Sequence, residues 1–494
     1  MMKSLSFHSS QPQKKKIAVV PHVIKGKDVV TKKLEPVYSH QNTSKKIHDF
    51  AALTNLEGDI AQLCDDSYSG YLAWSTKSHI ERTKILQAAA QNVRNRREDF
   101  LLSLEEIGLS NQFAEFNIMT AANHIEEYAR NISLPDGTLT KSDLCDLSLI
   151  VRNPIGPVYS VAPWNAPLIL TNRSLAAPLA AGCSVLLKSS EKAPLVAYFL
   201  VKCYLDAGVP PKTLQLFHVA PREIPQATEM VISNKHVRKV NFTGSTFVGG
   251  KIALTCAKYL KPYLLELGGK NYSIVCKDAD IPKAIENIFF SAFFHKGQIC
   301  MCLDKVFIHD SIYNTFVEKL QSMAKKALKK PDHEVPQRDM VSTTKIHDLV
   351  ADALNKGAKI IYGEKQDLVI SSSGDHTAMT PIILADITLK MSLDTVESFG
   401  PVLSLHKFKD ENKLIEKANG EEYGLKVSIW SSNVLHALSL AKKIDSGGVH
   451  INSSSIHDEA YQPHGGVKSS GCGRFNSSWG IDSFSYIKTI TLNQ

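Results

Sequence analysis

Short apolar segments alternate with helical segments from about residue 157 onward, and this alternation constrains the fold more than any other feature of the chain. The predicted strands are 158–162, 183–188, 214–219 and 239–242. One helix that passes through Leu175 and Leu179, and another over 195–207, connect them. Alternating β and α units predict a parallel sheet covered by helices on both faces. Because right-handed crossovers bring the carboxyl ends of such strands to one edge, we expect ligands to bind at that edge.

The segments that precede this α/β region have different patterns. Apolar side chains recur at three- and four-residue spacing between Asp59 and Ser110, which predicts amphipathic helices. Residues 147–152 alternate like a strand, after a break at Leu134-Pro135-Asp136-Gly137. A hairpin inserted here would have edges in need of a partner, so it is a candidate oligomerisation arm. At 494 residues the chain is long enough for two or three domains.

Charge and cysteine content exclude several classes of function. The net charge of +8 lies within residues 1–46, which hold ten lysines and two acids, and the rest of the chain is neutral. We therefore expect residues 1–16 to be a flexible basic tail and expect no nucleic-acid partner. No apolar run is long enough to span a membrane. Nine cysteines without a Cys-x-x-Cys pair indicate neither disulfides nor a metal site, as is typical of a cytoplasmic protein.

Cys300 is the candidate nucleophile. It follows the apolar run 288–292 and a Gly297-Gln298 turn, an arrangement that can hold a thiol at the floor of a cleft. A thiolate there can attack a carbonyl carbon. The alternative is a small buried cysteine that only fills the core.

Two further stretches contain candidate groups for carbonyl chemistry. Glu266 lies between apolar residues and the glycine pair Gly268-Gly269, where burial of an unpaired carboxylate would suit it to act as a general base. Asn165 stands in a loop stiffened by prolines on both sides, and its amide can donate to a developing oxyanion. The alternatives are a partnered structural glutamate and an ordinary turn.

Two strand ends carry candidate phosphate and ribose ligands. Gly244 and Ser245 follow one strand and open a helix, whose N-terminus attracts phosphate. Lys188 and Glu191 follow another strand, where they can hydrogen-bond ribose hydroxyls, and the carboxylate would repel a 2′-phosphate. A tight turn and a capped helix are the alternatives.

Together these stretches resemble the NAD(P)-dependent aldehyde dehydrogenase superfamily from about residue 20 to the end of the chain. The motifs that carry the resemblance lie around Asn165, Lys188, Gly244, Glu266 and Cys300, and in Glu397-Ser398-Phe399-Gly400-Pro401-Val402, Tyr423-Gly424-Leu425 and Gly465-Gly466-Val467-Lys468. Gly297-Gln298-Ile299-Cys300-Met301 and Ile456-His457-Asp458-Glu459 are similar to the branch of benzaldehyde, vanillin and salicylaldehyde dehydrogenases.

The resemblance implies a role for each matching residue. Cys300 would attack the aldehyde, Asn165 would stabilise the oxyanion and Glu266 would activate the water that hydrolyses the thioester. The residues that would hold the cofactor are Trp164, Lys188, Glu191, Gly244, Ser245, Gly249, Glu397 and Phe399. Glu191 favours NAD, with NADP as the alternative. No metal is expected.

The resemblance also implies an α/β fold with a Rossmann-type cofactor domain (17–130 and 153–264), an α/β catalytic domain (265–459) and a β-hairpin oligomerisation arm (131–152 and 478–494). The chain would act as a homodimer or homotetramer. The activity would be oxidation of an aldehyde, with an aromatic aldehyde favoured. The alternatives are an aliphatic aldehyde or semialdehyde and, with less support, a non-catalytic NAD-binding structural protein.

Several residues depart from the pattern of the family. His464 stands where most members have Phe, and Arg173 stands near the position where many have Lys. We expect both in the substrate pocket, with Arg173 at its mouth. His295-Lys296 replaces the usual Asn-Gln, and we expect Lys296 to point to solvent. Cys302 is expected to point away from Cys300.

Overall fold

The computed structural model describes residues 17–40, 43–133, 137–328, 335–364 and 377–493. The basic tail predicted at 1–16 lies outside the described residues. Within them, no helix is both long and apolar enough to cross a membrane.

The described part of the first half contains twelve strands and eight α-helices. In chain order these are β1 (Val19–Val20), β2 (His22–Ile24), β3 (Lys27–Val29), β4 (Leu34–Tyr38), β5 (Lys46–Ala51), α1 (Leu56–Ser75), α2 (His79–Asn95), α3 (Arg97–Glu105), α4 (Asn111–Asn131), β6 (Gly137–Thr140), β7 (Leu147–Pro154), β8 (Val158–Val161), α5 (Pro167–Ala181), β9 (Val185–Lys188), α6 (Pro194–Asp206), β10 (Leu214–Phe217), α7 (Ile224–Ser233), β11 (Lys239–Thr243), α8 (Thr246–Lys258) and β12 (Tyr263–Glu266). The predicted β/α alternation is therefore confirmed, with strands that are one or two residues shorter at several ends.

The described part of the second half contains thirteen strands and seven α-helices. These are β13 (Asn271–Val275), α9 (Ile281–Phe293), β14 (Leu303–His309), α10 (Tyr313–Ala327), β15 (Val335–Pro336), α11 (Met340–Asn355), β16 (Lys359–Tyr362), β17 (Ala378–Met379), β18 (Ile382–Ala385), α12 (Ser392–Thr395), β19 (Val402–Phe408), α13 (Glu411–Gly420), β20 (Tyr423–Gly424), β21 (Lys426–Trp430), α14 (Val434–Ala441), β22 (Gly448–Ile451), β23 (Val467–Lys468), β24 (Gly471–Cys472), α15 (Ser477–Ser483) and β25 (Ser485–Leu492).

The first large sheet has the strand order β24-β12-β11-β8-β9-β10-β2-β3. Its five central strands are parallel, and β24 and the β2–β3 hairpin add antiparallel edges. The chain runs from β8 outward to β9 and β10, and then returns to the other side of β8 with β11 and β12. This reversal creates a crevice at the carboxyl ends of β8 and β11, where ligands bind in open parallel sheets.

Helices cover both faces of this sheet. This is seen from neighbouring residues of one strand, which pack in different apolar cores. Val158 and Leu264 pack in a core with α2, α4, α5 and α6, whereas the adjacent Tyr159 and Leu265 pack in a core with α1, α7 and α8. Successive side chains of a strand point to opposite faces, so strands buried on both faces read as continuous apolar runs. This explains why these strands stand out in the sequence.

The second large sheet has the order β16-β18-β19-β14-β13-β21-β22 and is parallel except for the β16 edge. It builds the second α/β region. A third sheet combines β6, β7 and the C-terminal β25 as antiparallel neighbours. The predicted hairpin is confirmed as a local structure. Its second strand continues to Pro154, beyond the predicted bound of the arm at 131–152. The C-terminal strand begins at Ser485, after α15, inside the segment predicted at 478–494.

Candidate active site

A left-handed turn places Cys300 between α9 and β14. After α9 the backbone adopts positive φ at His295 (47°), Lys296 (63°) and Gly297 (73°). A Cβ atom added to Gly297 would lie 2.1 Å from the carbonyl oxygen of Gly400. Only glycine fits this approach, since any side chain would collide with backbone.

Side chains from other elements fix the backbone around Cys300. The Nδ2 of Asn271, at the start of β13, donates to the carbonyls of Cys300 (2.6 Å) and Cys302 (2.9 Å). The hydroxyl of Ser455 donates to the carbonyl of Met301 (2.8 Å). These three contacts hold the thiol in position without engaging its sulfur.

Cys302 points away from Cys300, as predicted. Its Sγ donates to the carbonyl oxygen of Phe294 (3.7 Å), and its side chain belongs to the apolar core of the first sheet. All nine cysteines are free.

Asn165 lies beside Cys300 because it follows β8 at the crevice. Its Nδ2 donates to the carbonyl oxygen of Gln298 (3.0 Å), two residues before the thiol, and its side chain is buried. An asparagine amide has two N–H donors, so the second is available to an oxygen in the cavity.

Glu266 ends β12 and is buried, with 1% of its surface exposed. Donor atoms of Glu266, Cys300 and His464 all lie within 4.8 Å of one another. The pKa of the Cys300 thiol is raised well above its usual value, mainly by burial and then by the Glu266 carboxylate, while Arg173 opposes the shift. The thiol is therefore protonated at neutral pH, with a proton acceptor at its side.

His464 and Arg173 meet at Asp458. His464 Nε2 lies 3.6 Å from Glu266 Oε1, and its Nδ1 lies 3.5 Å from Asp458 Oδ1. Arg173 Nη2 pairs with Asp458 Oδ2, and its guanidinium lies over the ring of Phe475 at 5.4 Å. Arg173 is 1% exposed, so the expectation that it faces the open mouth of the pocket is corrected: its charge is neutralised inside the protein.

Burial also corrects the prediction for Lys296. Its Nζ donates to the carbonyl of Gly108 (3.3 Å) instead of pointing to solvent, and burial lowers its pKa to about 8. The preceding His295 ring contacts Phe113, with ring centroids 4.7 Å apart, and burial lowers its pKa to about 3. Both side chains support the turn from the side of α4.

A cavity of about 220 Å³ joins these groups to the carboxyl edge of the first sheet. Its lining includes Trp164, Asn165, Gly244, Ser245, Glu266, Cys300, Glu397 and Phe399. Eight of the thirteen residues predicted for the site thus line one cavity. Ser342 and Lys345 of α11 also line it and were not found from the sequence, because nothing local marks that helix as functional.

Glu397 faces this cavity from the second α/β region. Its Oε1 accepts a hydrogen bond from the amide of Gly269 (2.9 Å), and burial raises its pKa to about 7. The ring of Phe399, which has a positive φ of 49°, lies 6.2 Å from Trp164 in an edge-to-face arrangement. A carboxyl and two aromatic rings, contributed by both α/β regions, therefore line this cavity.

The remaining predicted cofactor residues lie along the same sheet edge, outside the lining of the cavity. Lys188 Nζ pairs with Glu191 Oε2 at 3.3 Å. Gly249 lies in α8, where an added Cβ would be 2.4 Å from Leu267, so its position favours close packing of the helix against the sheet. Ser245, which does line the cavity, caps α8 by accepting a hydrogen bond from the amide of Val248 (3.4 Å).

The residues at this edge fit a dinucleotide. The cavity extends from the N-terminus of α8, a site for pyrophosphate, to the Cys300 thiol, and an acid–lysine pair suited to ribose lies two strands away. Among the described residues, two sets of side chains could also hold a metal ion, Glu266–Cys300–His464 and Cys276–Glu411–His436. The expectation that no metal is needed stays a prediction.

Asp458 is the residue that the sequence did not reveal as part of the site. It lies in a motif that carried the resemblance, Ile456-His457-Asp458-Glu459, but its pairing with Arg173 and His464 joins segments that are distant in the chain. Asn271 was likewise visible only as a neighbour of Glu266.

A doubly wound sheet whose crevice opens toward a thiol of a second α/β region defines a dinucleotide-dependent oxidoreductase. The chain belongs to the aldehyde dehydrogenase family, whose model matches residues 29–490. It is therefore an oxidoreductase that oxidises an aldehyde to the carboxylic acid, and its family uses NAD(P).

Individual relatives agree with this assignment. The chain is 35% identical to a vanillin dehydrogenase of Pseudomonas fluorescens over 457 residues, which cover 91% of this chain and 92% of that protein. It is 33% identical to a mitochondrial succinate-semialdehyde dehydrogenase of Arabidopsis thaliana over 458 residues, 91% of this chain and 84% of that protein. The crystal structure of a salicylaldehyde dehydrogenase from Pseudomonas putida G7, complexed with salicylaldehyde, matches with a TM-score of 0.90 and 30% identity, covering 97% of this chain and 99% of that chain. The resemblance stated from the sequence, including its aromatic-aldehyde branch, is confirmed.

Proposed function

We propose that this enzyme oxidises an aromatic aldehyde with NAD, through a thioester on Cys300 that Glu266 helps to hydrolyse. The observation that carries the proposal is that Cys300, Asn165 and Glu266 line the same cavity as Gly244 and Ser245. A nucleophile, an oxyanion donor and a base thus lie within reach of a phosphate site.

The first half-reaction begins with the thiol. Because its pKa is raised, Cys300 needs a base to become a nucleophile, and the Glu266 carboxylate lies within 4.8 Å of the sulfur. Attack on the aldehyde carbon gives a thiohemiacetal, and the thiol proton on Glu266 would pass to solvent before the second half-reaction. The free N–H of the Asn165 amide and the backbone N–H of Cys300 would donate to its oxyanion.

The dinucleotide, when bound, accepts the hydride that leaves the thiohemiacetal. Gly244 and Ser245 would hold its pyrophosphate at the N-terminus of α8. Trp164, Glu397 and Phe399 would contact it where the cavity approaches Cys300. Gly249 would act by keeping α8 close to the sheet.

Lys188 and Glu191 would bind the adenosine ribose and favour NAD over NADP. Burial alone would raise the pKa of Glu191, but the charge of Lys188 and a backbone hydrogen bond outweigh it and lower the pKa. This carboxyl is therefore ionised at neutral pH. A carboxylate hydrogen-bonds ribose hydroxyls and repels a 2′-phosphate.

The second half-reaction returns the enzyme to its thiol form. Glu266 would take a proton from water, and the water oxygen would add to the thioester carbon. As the acid forms, the Cys300 thiolate would leave and recover that proton as a thiol. A buried carboxylate with an unbonded oxygen, Oε1, suits this role.

An aromatic aldehyde is the substrate that the surroundings support best. Leu170, Trp164 and Phe399 supply apolar surface in the cavity, and two compared relatives are named for vanillin and salicylaldehyde. The competing substrate is a semialdehyde, as in the name of the Arabidopsis relative. Arg173, the cation expected at the mouth of the pocket, is already paired with Asp458 and is therefore not free to bind a carboxylate tail.

The test is reduction of NAD and NADP, measured separately by absorbance, over a panel of aldehydes. The panel contains vanillin, salicylaldehyde, benzaldehyde, succinate semialdehyde and a short aliphatic aldehyde. The proposal predicts the highest kcat/KM for an aromatic aldehyde with NAD. Preference for the semialdehyde would overturn the substrate class, and silence with every aldehyde would overturn the proposed activity.

We also propose that the enzyme is cytoplasmic and forms a homodimer or homotetramer. The subunits would assemble through an oligomerisation arm made of β6, β7 and β25, which is distinct from the cofactor domain and the catalytic domain. The exposed apolar side chains of β25, Tyr486, Ile487, Ile490 and Leu492, support this interface. Truncation after Phe484 should reduce the mass measured by light scattering to that of a smaller assembly. An unchanged mass would refute the role of the arm.

A further inference from the structure

His464 is buried between two carboxylates without a hydrogen bond of its own. Its ring is 2% exposed, and neither ring nitrogen has a hydrogen-bond partner. Nε2 lies 3.6 Å from Glu266 Oε1 and Nδ1 lies 3.5 Å from Asp458 Oδ1. Its backbone pairs with Phe475 in both directions, at 2.8 and 3.2 Å, so the ring is held in this place. A small shift would turn both approaches into hydrogen bonds.

Two side chains hold the Asp458 carboxylate in place. Arg173 pairs with its Oδ2, and Asn476 donates to its Oδ1 at 2.9 Å. The charge of Arg173 lowers the pKa of Asp458 far below its usual range, against the effect of burial. Asp458 therefore stays ionised. It can accept a hydrogen bond from Nδ1 of His464, and this leaves Nε2 of His464 directed toward Glu266.

Packing alone does not explain a histidine at this position. An imidazole buried without a partner costs free energy that a phenyl ring would not. The histidine and its two carboxylate neighbours therefore point to proton transfer.

We propose that His464 positions Glu266 and accepts from it the proton that Glu266 has taken from the hydrolytic water. Asp458 orients the ring of His464 for this transfer. This inference rests on the proposed function of Glu266 as the base. The water oxygen bonds to the thioester carbon while the water proton passes to Glu266 Oε1. The proton then moves to His464 Nε2, the C–S bond breaks, and the Cys300 sulfur leaves as a thiolate. The proton then returns through Glu266 to the thiolate, which restores the Cys300 thiol and leaves His464 neutral and Glu266 ionised.

The surroundings keep His464 ready to accept a proton. Burial and the positive charge of Arg173 lower its pKa, and Asp458 and Glu266 oppose this shift. Other titratable groups near the ring are His124 of α4, Lys426 of β21 and His450 of β22. At neutral pH the imidazole is therefore neutral, and once protonated it is stabilised by two carboxylates.

The test separates the two half-reactions in His464→Phe. Rapid mixing with aldehyde and NAD should give an initial burst of NADH as fast as in the wild type, followed by a slower steady state. We expect deacylation to slow by about tenfold, less than the roughly hundred- to ten-thousandfold of a primary acid–base group. Hydroxylamine, which attacks the thioester without needing a base, should restore turnover. His464→Asn, a second variant that keeps a polar side chain, should behave alike.

A double variant decides whether His464 acts through Glu266. Glu266→Gln/His464→Phe should deacylate no more slowly than Glu266→Gln, because the acceptor is useless without the base. His406→Asn is the matched control, since His406 is also buried and lies 3.9 Å from an aspartate, Asp394, outside the site.

An unchanged deacylation rate in His464→Phe would overturn the inference, and so would loss of the burst in both His464 variants. It would also be overturned if the loss of deacylation rate in the double variant equalled the product of the losses in the two single variants. Absence of a burst and of any thioester in the wild type would instead overturn the proposed function.

Discussion

Asn165→Ala removes the proposed oxyanion donor and one internal hydrogen bond. The lost bond, from Nδ2 to the Gln298 carbonyl at 3.0 Å, is worth about 0.5–1.5 kcal/mol of stability by the usual range for neutral pairs. Loss of an oxyanion donor costs about 2.7–4 kcal/mol in the transition state, a factor of roughly a hundred to a thousand in kcat. The effect on catalysis should therefore exceed the effect on stability severalfold.

The assay is steady-state NADH formation with the best aromatic aldehyde, beside thermal unfolding and titration of NAD by fluorescence. NAD affinity should be retained, because Asn165 faces the thiol rather than the phosphate site. Asn287→Ala is the control, since its amide also donates to a backbone carbonyl, Lys283 at 3.0 Å, on an exposed face of α9. A kcat within a fewfold of wild type in Asn165→Ala would refute the assignment.

Three further predictions concern the turn, the cavity and the choice of cofactor. Gly297→Ala should lower the free energy of unfolding by at least about 1–2 kcal/mol, because alanine disfavours the left-handed backbone at this position. Gly420→Ala, where the added methyl group would meet open space, should not lower it. Equal losses of the two variants in chemical denaturation would contradict this prediction. Because burial raises the pKa of Glu397 to about 7, its protonated form stabilises the fold, and stability falls as pH rises from about 4.5 to 7. The melting temperature of Glu397→Gln should fall less than that of the wild type between these pH values. Parallel pH profiles for the two proteins would contradict the prediction. Glu191→Gln should raise the NADP/NAD ratio of kcat/KM by about fivefold, from loss of about 1 kcal/mol of repulsion; an unchanged ratio would exclude Glu191 as the selector.

The parts of the fold that the sequence predicted are those written in local patterns. The strands β8, β9, β10 and β11 are buried on both faces and therefore appear as continuous apolar runs. β24 could not be predicted in the same way, because its two residues join the first sheet only through pairing with β12, some two hundred residues earlier.

The site shows the same division. Cys300, Glu266 and Asn165 each follow a recognisable local signal, a Gly-Gln turn, a glycine pair or a pair of prolines. The positions of Arg173 and Lys296 depended instead on partners that no local pattern reveals, Asp458 and the Gly108 carbonyl. Both side chains were expected near solvent because a charged residue is usually exposed. A distant segment supplies a partner for each, and Arg173 is buried while Lys296 is half-buried.

Substrate carried as a thioester on Cys300 adds mass to that residue, and mass spectrometry of acid-quenched enzyme detects the added mass. After mixing with aldehyde and NAD, the peptide that contains Cys300 should gain the mass of the acyl group, and Cys300→Ser should lose both the adduct and the activity. Steady turnover with no adduct on that peptide, or an active Cys300→Ser enzyme, would contradict the account.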